Sequence, residues 1–394
     1  MPRSAYLHIP FCRRRCFYCD FPIAVAGDRA RGATSPRMQT YVDALCREIR
    51  ATPVLGPALA TVFFGGGTPS LLSVTQVEQI LTVLADHFGI AETAEISIEM
   101  DPGTFDRTAL QALRQLGVNR VSLGVQSFQD AQLEACGRTH RARDVYQAIE
   151  DLLAVEMPAW SLDLISGLPH QTMADWEASL EKAIAFHPQH MSVYDLTVEP
   201  GTVFNRRYRA GVSPLPTDAM TTDMYRMAQT LLTQAGYDHY EVSNYARPGF
   251  QCQHNRVYWG NQPFYGFGMG AASYTQHQRF NRPRTTHDYY DWLERYCEAR
   301  GKLDCEVLSE GDRWLERLMM GLRLAEGVPL DQLSQEFGCQ RVADLKKTLY
   351  PYRQKGWVAL QEGPEPRVRL TDPEGFLFSN VVLVKLFETF GDPE

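Results

Sequence analysis

The sequence predicts an α/β fold, a full or partial barrel followed by a small helical domain with a hairpin wing. Six apolar, β-branched runs alternate with amphipathic stretches, and the rhythm then changes near residue 199. The runs are "SAYLHIP", "LATVFFGGG", "AEISIEM", "RVSLGVQSF", "WSLDLISGLP" and "HMSVYDLTV". Their near-continuous hydrophobicity marks strands buried on both faces. Between them "MQTYVDALCREIRAT", "VTQVEQILTVLADHF" and "ARDVYQAIEDLLAVE" carry apolar residues at helical spacing. Strand–helix units in series require parallel strands joined by right-handed crossovers, which curl into a barrel.

Past residue 199 come Pro/Gly-bearing loops, the helical "DAMTTDMYRMAQTLLTQAG", an aromatic-rich stretch from Tyr237 to Tyr274, and helical "YDWLERYCEAR". From Leu308 the chain reads helix, helix, then two short strands around a Pro/Gly turn in "GWVALQEGPEPRVRLTDPEG".

Composition narrows the function. At 394 residues the chain can bury one large core and a smaller one. A net charge of -8 argues against a general nucleic-acid binder. The N-terminus has no apolar stretch of signal-peptide length, and no run approaches the ~18 apolar residues of a membrane span. A cytoplasmic protein is expected. Of nine cysteines, Cys46, Cys136, Cys252, Cys297, Cys305 and Cys339 are scattered singly, which suits a reducing compartment and packed small side chains.

The other three form C-x-x-x-C-x-x-C in "IPFCRRRCFYCDFPI", directly after the first predicted strand. Iron–sulfur cubanes usually take four thiolates, so three would leave one iron open to an exchangeable ligand. Arg13, Arg14 and Arg15 are expected to favour the thiolates. The competing reading is a zinc site that borrows His8 or a distant residue as fourth ligand. Barrel active sites lie at the C-terminal ends of strands. "GGGTPS" follows the second predicted strand, Glu99 ends the third, Gln126 ends the fourth, and Asp163 lies in the fifth. The glycine run lacks G-K-[ST] and is no nucleotide P-loop; alone it is equally an ordinary turn. Buried strand carboxylates such as Glu99 and Asp163 imply a polar ligand or, taken singly, a structural salt bridge.

"CRRRCFYC", "FFGGGTPS", "EISIEMDPGT", "VSLGVQSF", "GRTH" and "DLISGLP" together resemble the radical S-adenosylmethionine (SAM) superfamily, in its HemN/HemW branch. The resemblance spans roughly residues 5 to 275, with a matching C-terminal domain. It implies a partial (β/α)6 barrel over 1–200, an extension over 201–305 and a winged-helix-like domain over 306–394. It also implies a 4Fe-4S cluster on Cys12, Cys16 and Cys19, with SAM chelating the open iron. Tyr6, Tyr18, Gly66, Gly67, Thr68, Glu99, Gln126, Arg138 and Asp163 match positions that contact SAM.

The branch's oxygen-independent coproporphyrinogen III oxidases carry a further cysteine two positions after the third, and a longer leading segment. This chain has Phe21 there, and its motif starts at Cys12. It resembles instead the heme chaperones, whose H-N-x-x-Y-W signature stands here as "HNRVYW". That resemblance implies heme and heme-acceptor proteins as partners and His254 as the heme ligand, with Cys252 as an alternative thiolate and room for peripheral membrane association and a homodimer. A heme carrier ranks first, a radical SAM oxidase second. The basic stretch "RVADLKKTLYPYRQKG" reads as a solvated helix face, so a nucleic-acid module is a distant third.

Overall fold

The computed structural model describes residues 1–28 and 31–391. Six strands, β1 (Ser4–Ile9), β2 (Leu59–Gly66), β3 (Ile90–Met100), β4 (Arg120–Gln126), β5 (Ala159–Ser166) and β6 (His190–Asp195), pair in sequence order, all parallel. Helices α1 (Pro36–Ala51), α2 (Val74–Phe88), α3 (Arg107–Gln115), α4 (Ala142–Ala154) and α5 (Met173–Ala185) make the crossovers. Four of the six quoted runs contain their strands whole; β3 begins four residues before its run and β5 one residue before. Helix starts follow local chemistry: the Ser35 hydroxyl accepts from the Met38 N–H with Pro36 at the first helical position, and Ser73 and Gln76 form a capping box.

The extension contributes to the same sheet. It holds α6 (Asp218–Gln234), β7 (Asp238–Glu241), β8 (Asn244–Ala246), α7 (Gln253–Trp259), β9 (Tyr265–Phe267), the hairpin β10 (Ala272–Thr275) and β11 (Gln278–Asn281), and α8 (Thr286–Glu298). The nine-stranded order is β9-β1-β2-β3-β4-β5-β6-β8-β7. β9 lies parallel to β1, whereas β8 pairs antiparallel with β6. The aromatic stretch therefore conceals strands of only three or four residues, too short for a period to register.

Two buried ion pairs knit these parts together. Arg282 Nε donates to Glu48 at 2.8 Å, and the same carboxylate accepts from the Tyr289 hydroxyl and the Gly268 N–H, joining α1 to β9 and α8. Arg120 donates to Glu95 at 2.8 Å between β4 and β3.

The C-terminal part has its own core, with Trp314, Leu345, Val368 and Leu386 at its centre. Helices α9 (Glu310–Gly321), α10 (Leu330–Phe337) and α11 (Cys339–Gln354) precede the expected hairpin of β13 (Val358–Gln361) and β14 (Arg367–Leu370). A two-residue strand, β12 (Val328–Pro329), completes the sheet, and a last helix, α12 (Ser379–Phe390), absent from the sequence expectation, packs on α11. Among the described residues no helix is long and apolar enough to cross a membrane.

Candidate cofactor site at the mouth of the barrel

The loops after β1 to β6 enclose a cavity of about 410 Å³. The loop after β1 is held by short backbone ties. Ala24 N–H donates to Pro10 O at 2.7 Å, Ala26 N–H to Cys12 O at 2.8 Å, and Phe17 N–H to Cys136 O at 2.9 Å. This fixes Cys12, Cys16 and Cys19 along one wall, all three unpaired as thiols. Burial pushes the Cys12 thiol up to about 12 and raises Cys19 as well. Among the described residues no three His, Cys, Asp or Glu side chains converge as a single bound metal ion would need.

The surroundings suit an inorganic cluster on those thiolates. Gly67 presents bare backbone to the wall, because a Cβ there would stand 2.9 Å from the Cys12 sulfur and 2.8 Å from Phe11 O. Thr68 Oγ1 donates towards the Cys12 sulfur at 3.7 Å or to Asp101 at 3.3 Å, and Arg138 Nη1 towards the Cys16 sulfur at 3.5 Å. His8, one of the fourth ligands open to a zinc site, is already engaged. His8 is buried with one ring nitrogen 3.1 Å from the Tyr6 hydroxyl and the other 2.9 Å from Pro22 O, so it pins the cysteine loop.

Facing the thiols is a polar wall built at the ends of β2 to β5. Glu99 accepts from the Gly66 N–H at 2.9 Å; burial, with Asp163 and Asp101 adding repulsion, pushes it up to about 7. Asp163 accepts from Ser122 at 2.7 Å and Ser161 at 3.1 Å; burial lifts it to about 6 against those hydrogen bonds. Arg138 pairs with Asp101 and donates to Gly124 O at 3.1 Å. Burial opposes its charge, but Asp101 and Cys16 outweigh that and raise it. Gln126 ends β4 at a register shift with φ 67°, a left-handed backbone in which a non-glycine residue is strained. Tyr18 completes the rim.

Thus Cys12, Cys16, Cys19, Tyr18, Gly66, Gly67, Thr68, Glu99, Gln126, Arg138 and Asp163 share one cavity. Tyr6 is not among its lining residues; its ring stacks on Phe63 and its hydroxyl is taken by His8. Arg13, Arg14 and Arg15 do not act as a group on the thiols. Arg14 pairs with Asp28 and Arg13 donates to Gly103 O, leaving Arg15 as the one of the three that lowers Cys19. Asp101 is the residue that sequence reasoning missed. It follows Glu99 by two, so strand alternation was the signal that the two share a face.

His254 lies in helix α7 and is fully buried. Its Nδ1 is 2.7 Å from Thr61 Oγ1, its Nε2 is 2.8 Å from the Tyr258 hydroxyl, and its ring stacks on Phe63. Burial lowers its pKa to about 3. Both ring nitrogens are thus hydrogen-bonded to hydroxyls in this arrangement. Glu95 fastens the helix start, accepting from the N–H groups of Gln253 and His254 and from the Cys252 thiol, while Arg120 donates to Phe250 O and Gln251 O. Cys252 is likewise buried, its thiol pushed above the usual range by burial.

A partial barrel of parallel strands with three thiols and a carboxylate–arginine wall at its mouth defines a class, the radical SAM proteins. Residues 6–183 match the radical SAM superfamily and residues 308–378 match the HemN C-terminal domain. The chain is 48% identical to the heme chaperone HemW of Synechocystis sp. over 98% of its own length and 97% of that protein's, and 34% identical to HemW of Lactococcus lactis over the same shares. It belongs to the HemW family of the radical SAM superfamily. The fold is similar to that of coproporphyrinogen III oxidase (HemN) from Escherichia coli, with a TM-score of 0.81 and 24% identity over 98% of this chain and 90% of that one.

Proposed function

We propose that the protein is a heme chaperone, which binds heme and hands it to acceptor proteins, with a 4Fe-4S cluster and SAM bound at the barrel mouth. The observation that carries this reading is a similarity to heme chaperones running through all parts of the chain. Cys12, Cys16 and Cys19 would hold the cluster, which when bound supplies an open iron and one-electron chemistry. Gly66, Gly67 and Thr68 would bring backbone and hydroxyl donors to SAM's methionyl end. Arg138 would meet its carboxylate, and Glu99, Gln126 and Asp163 its remaining polar groups. Tyr18 would support the ligand from the rim, and Tyr6, behind the cavity wall, would act through His8 and the cysteine loop that it holds. Residues 1–200 carry this chemistry in the proposal, 201–305 the motif helix, and 306–394 the closing domain.

The setting proposed is the cytoplasm, and peripheral membrane association and a homodimer are further parts of the same reading, checked by vesicle flotation and light scattering. The oxidase reading uses the same fold and cavity, and turnover separates the two. Anaerobically reconstituted protein should hold one cluster and one heme per chain and pass heme to an apo-protein. It should form no protoporphyrinogen from coproporphyrinogen III with reductant and SAM. Multiple-turnover decarboxylation, or zinc in place of iron and sulfide, would overturn the proposal.

A further inference from the structure

Glu99, Asp101 and Asp163 all line the mouth cavity, but their oxygens are used differently. Asp101 is taken by Arg138 on one oxygen and by Thr68 on the other. Asp163 accepts from Ser122 on both oxygens and from Ser161 on one of them. Glu99 accepts at Oε2 alone, from the Gly66 N–H at 2.9 Å, and no hydrogen bond reaches its Oε1 among the described residues. One carboxylate oxygen therefore stands open at the cavity.

The groups that face Glu99 do not neutralise it. Asp163 and Asp101 repel its charge, and Tyr6, Tyr194 and Tyr258 approach it from β1, β6 and α7. The hydroxyls of Tyr6 and Tyr258 are already engaged with His8 and His254. A desolvated carboxylate beside like charges favours its protonated form, and Glu99 is pushed up to about 7 accordingly.

Its position is as specific as its environment. Gly66, whose N–H holds Oε2, belongs to the loop that meets the methionyl end of SAM in the reading above. That glycine has a φ of 115°, and a Cβ on it would stand 2.6 Å from the His8 ring, so another residue could not set this N–H against Glu99. An amine binds a metal through its lone pair, whereas an α-amino group is an ammonium below about pH 8. A proton must leave as SAM's amine meets the cluster's open iron.

We propose that Glu99 is the base that receives this proton, at its free Oε1. This rests on the SAM and cluster reading and names the proton acceptor within that site. An N–H bond of the ammonium breaks, an O–H bond forms on Glu99, and the electron pair left on nitrogen becomes available to the iron. Cation and carboxylate become a neutral pair, so the buried wall is relieved of one of its like charges. Asp163, its oxygens already filled by serine donors, stays an acceptor of hydrogen bonds.

The test titrates SAM calorimetrically into the full-length protein carrying an oxidised cluster, anaerobically and without reductant. Two buffers of different ionisation enthalpy count the protons released per SAM bound. Wild type should release about one at pH 6, where Glu99 is already protonated, and close to none at pH 7.5, where Glu99 is ionised and keeps the proton. Glu99→Gln should still release most of a proton at pH 7.5, and Asp163→Asn should follow wild type. Equal release by wild type and Glu99→Gln at pH 7.5 overturns the assignment and leaves the SAM reading standing. So does a release restored by Asp163→Asn and not by Glu99→Gln. Should Glu99→Gln no longer bind SAM, the other two proteins decide: a wild-type release unchanged from pH 6 to 7.5 overturns the assignment, and a fall that persists in Asp163→Asn upholds it. No SAM binding by the cluster-loaded wild type overturns the SAM reading and the assignment with it.

Discussion

One guanidinium joins the two walls of the cavity: Nη1 of Arg138 lies 3.5 Å from the Cys16 sulfur while Nη2 is committed to Asp101. A fork of fixed geometry can hold both partners at once, and an ammonium on a flexible stem cannot. Arg138→Lys should therefore keep the cluster's absorbance and lose roughly tenfold in SAM affinity, read from the SAM-dependent change in the reduced protein's paramagnetic resonance spectrum. An unchanged titration would make the pair a purely structural tie.

Replacing Cys12, Cys16 and Cys19 together by Ala should abolish cluster absorbance while moving the melting temperature of the cluster-free protein little, because none of the three belongs to the buried core. Retained iron and sulfide in that variant would locate the cluster elsewhere.

Glu241 predicts a pH dependence. It is fully buried, and burial pushes it up to about 7 against the lowering influence of Asn244, the Ser243 backbone and Arg323. A carboxyl raised on folding stabilises the native state fully below its unfolded value near 4.5, and that contribution fades as pH rises through 7. The shift is worth roughly 3 kcal/mol. Urea melts of Glu241→Gln should lie closest to wild type at pH 4.5 and exceed it most above pH 7. A constant difference across that window would show that Glu241 does not titrate there.

The Glu48–Arg282 pair is almost wholly removed from solvent, so breaking it should cost more than replacing it. Arg282→Met strands a buried carboxylate and should destabilise by about 3–5 kcal/mol, with much of that recovered in Glu48→Gln/Arg282→Met. Additive losses in a double-mutant cycle would mean the two residues act independently.

The barrel was legible because its signal is periodic and its strands are flanked by helices with their own capping residues, as at Ser35 and Ser73. The mouth was legible because glycines, thiols and carboxylates fall at strand ends. Three things were hidden. β7 to β9 are too short to show a period. Tyr6 carries a cofactor-type side chain but spends its hydroxyl on His8. His254 sits in a motif whose burial the sequence does not show, and only the packing of Thr61, Phe63 and Tyr258 around it reveals it. Spacing along a chain says which residues can share a face; it does not say whether a nitrogen on that face is already taken.

Glu95 carries a consequence for how this chain can change over generations. Its carboxylate answers a guanidinium on β4 and two backbone N–H groups and a thiol at the start of α7. Losing Arg120 alone would leave an anion in the interior, and losing Glu95 alone would leave a cation and a frayed helix there, each a step of several kcal/mol against a fold held by about 5–15 kcal/mol. Lineages descended from this sequence can cross that gap only by exchanging both residues at nearly the same time, so the two codons should be inherited as one character.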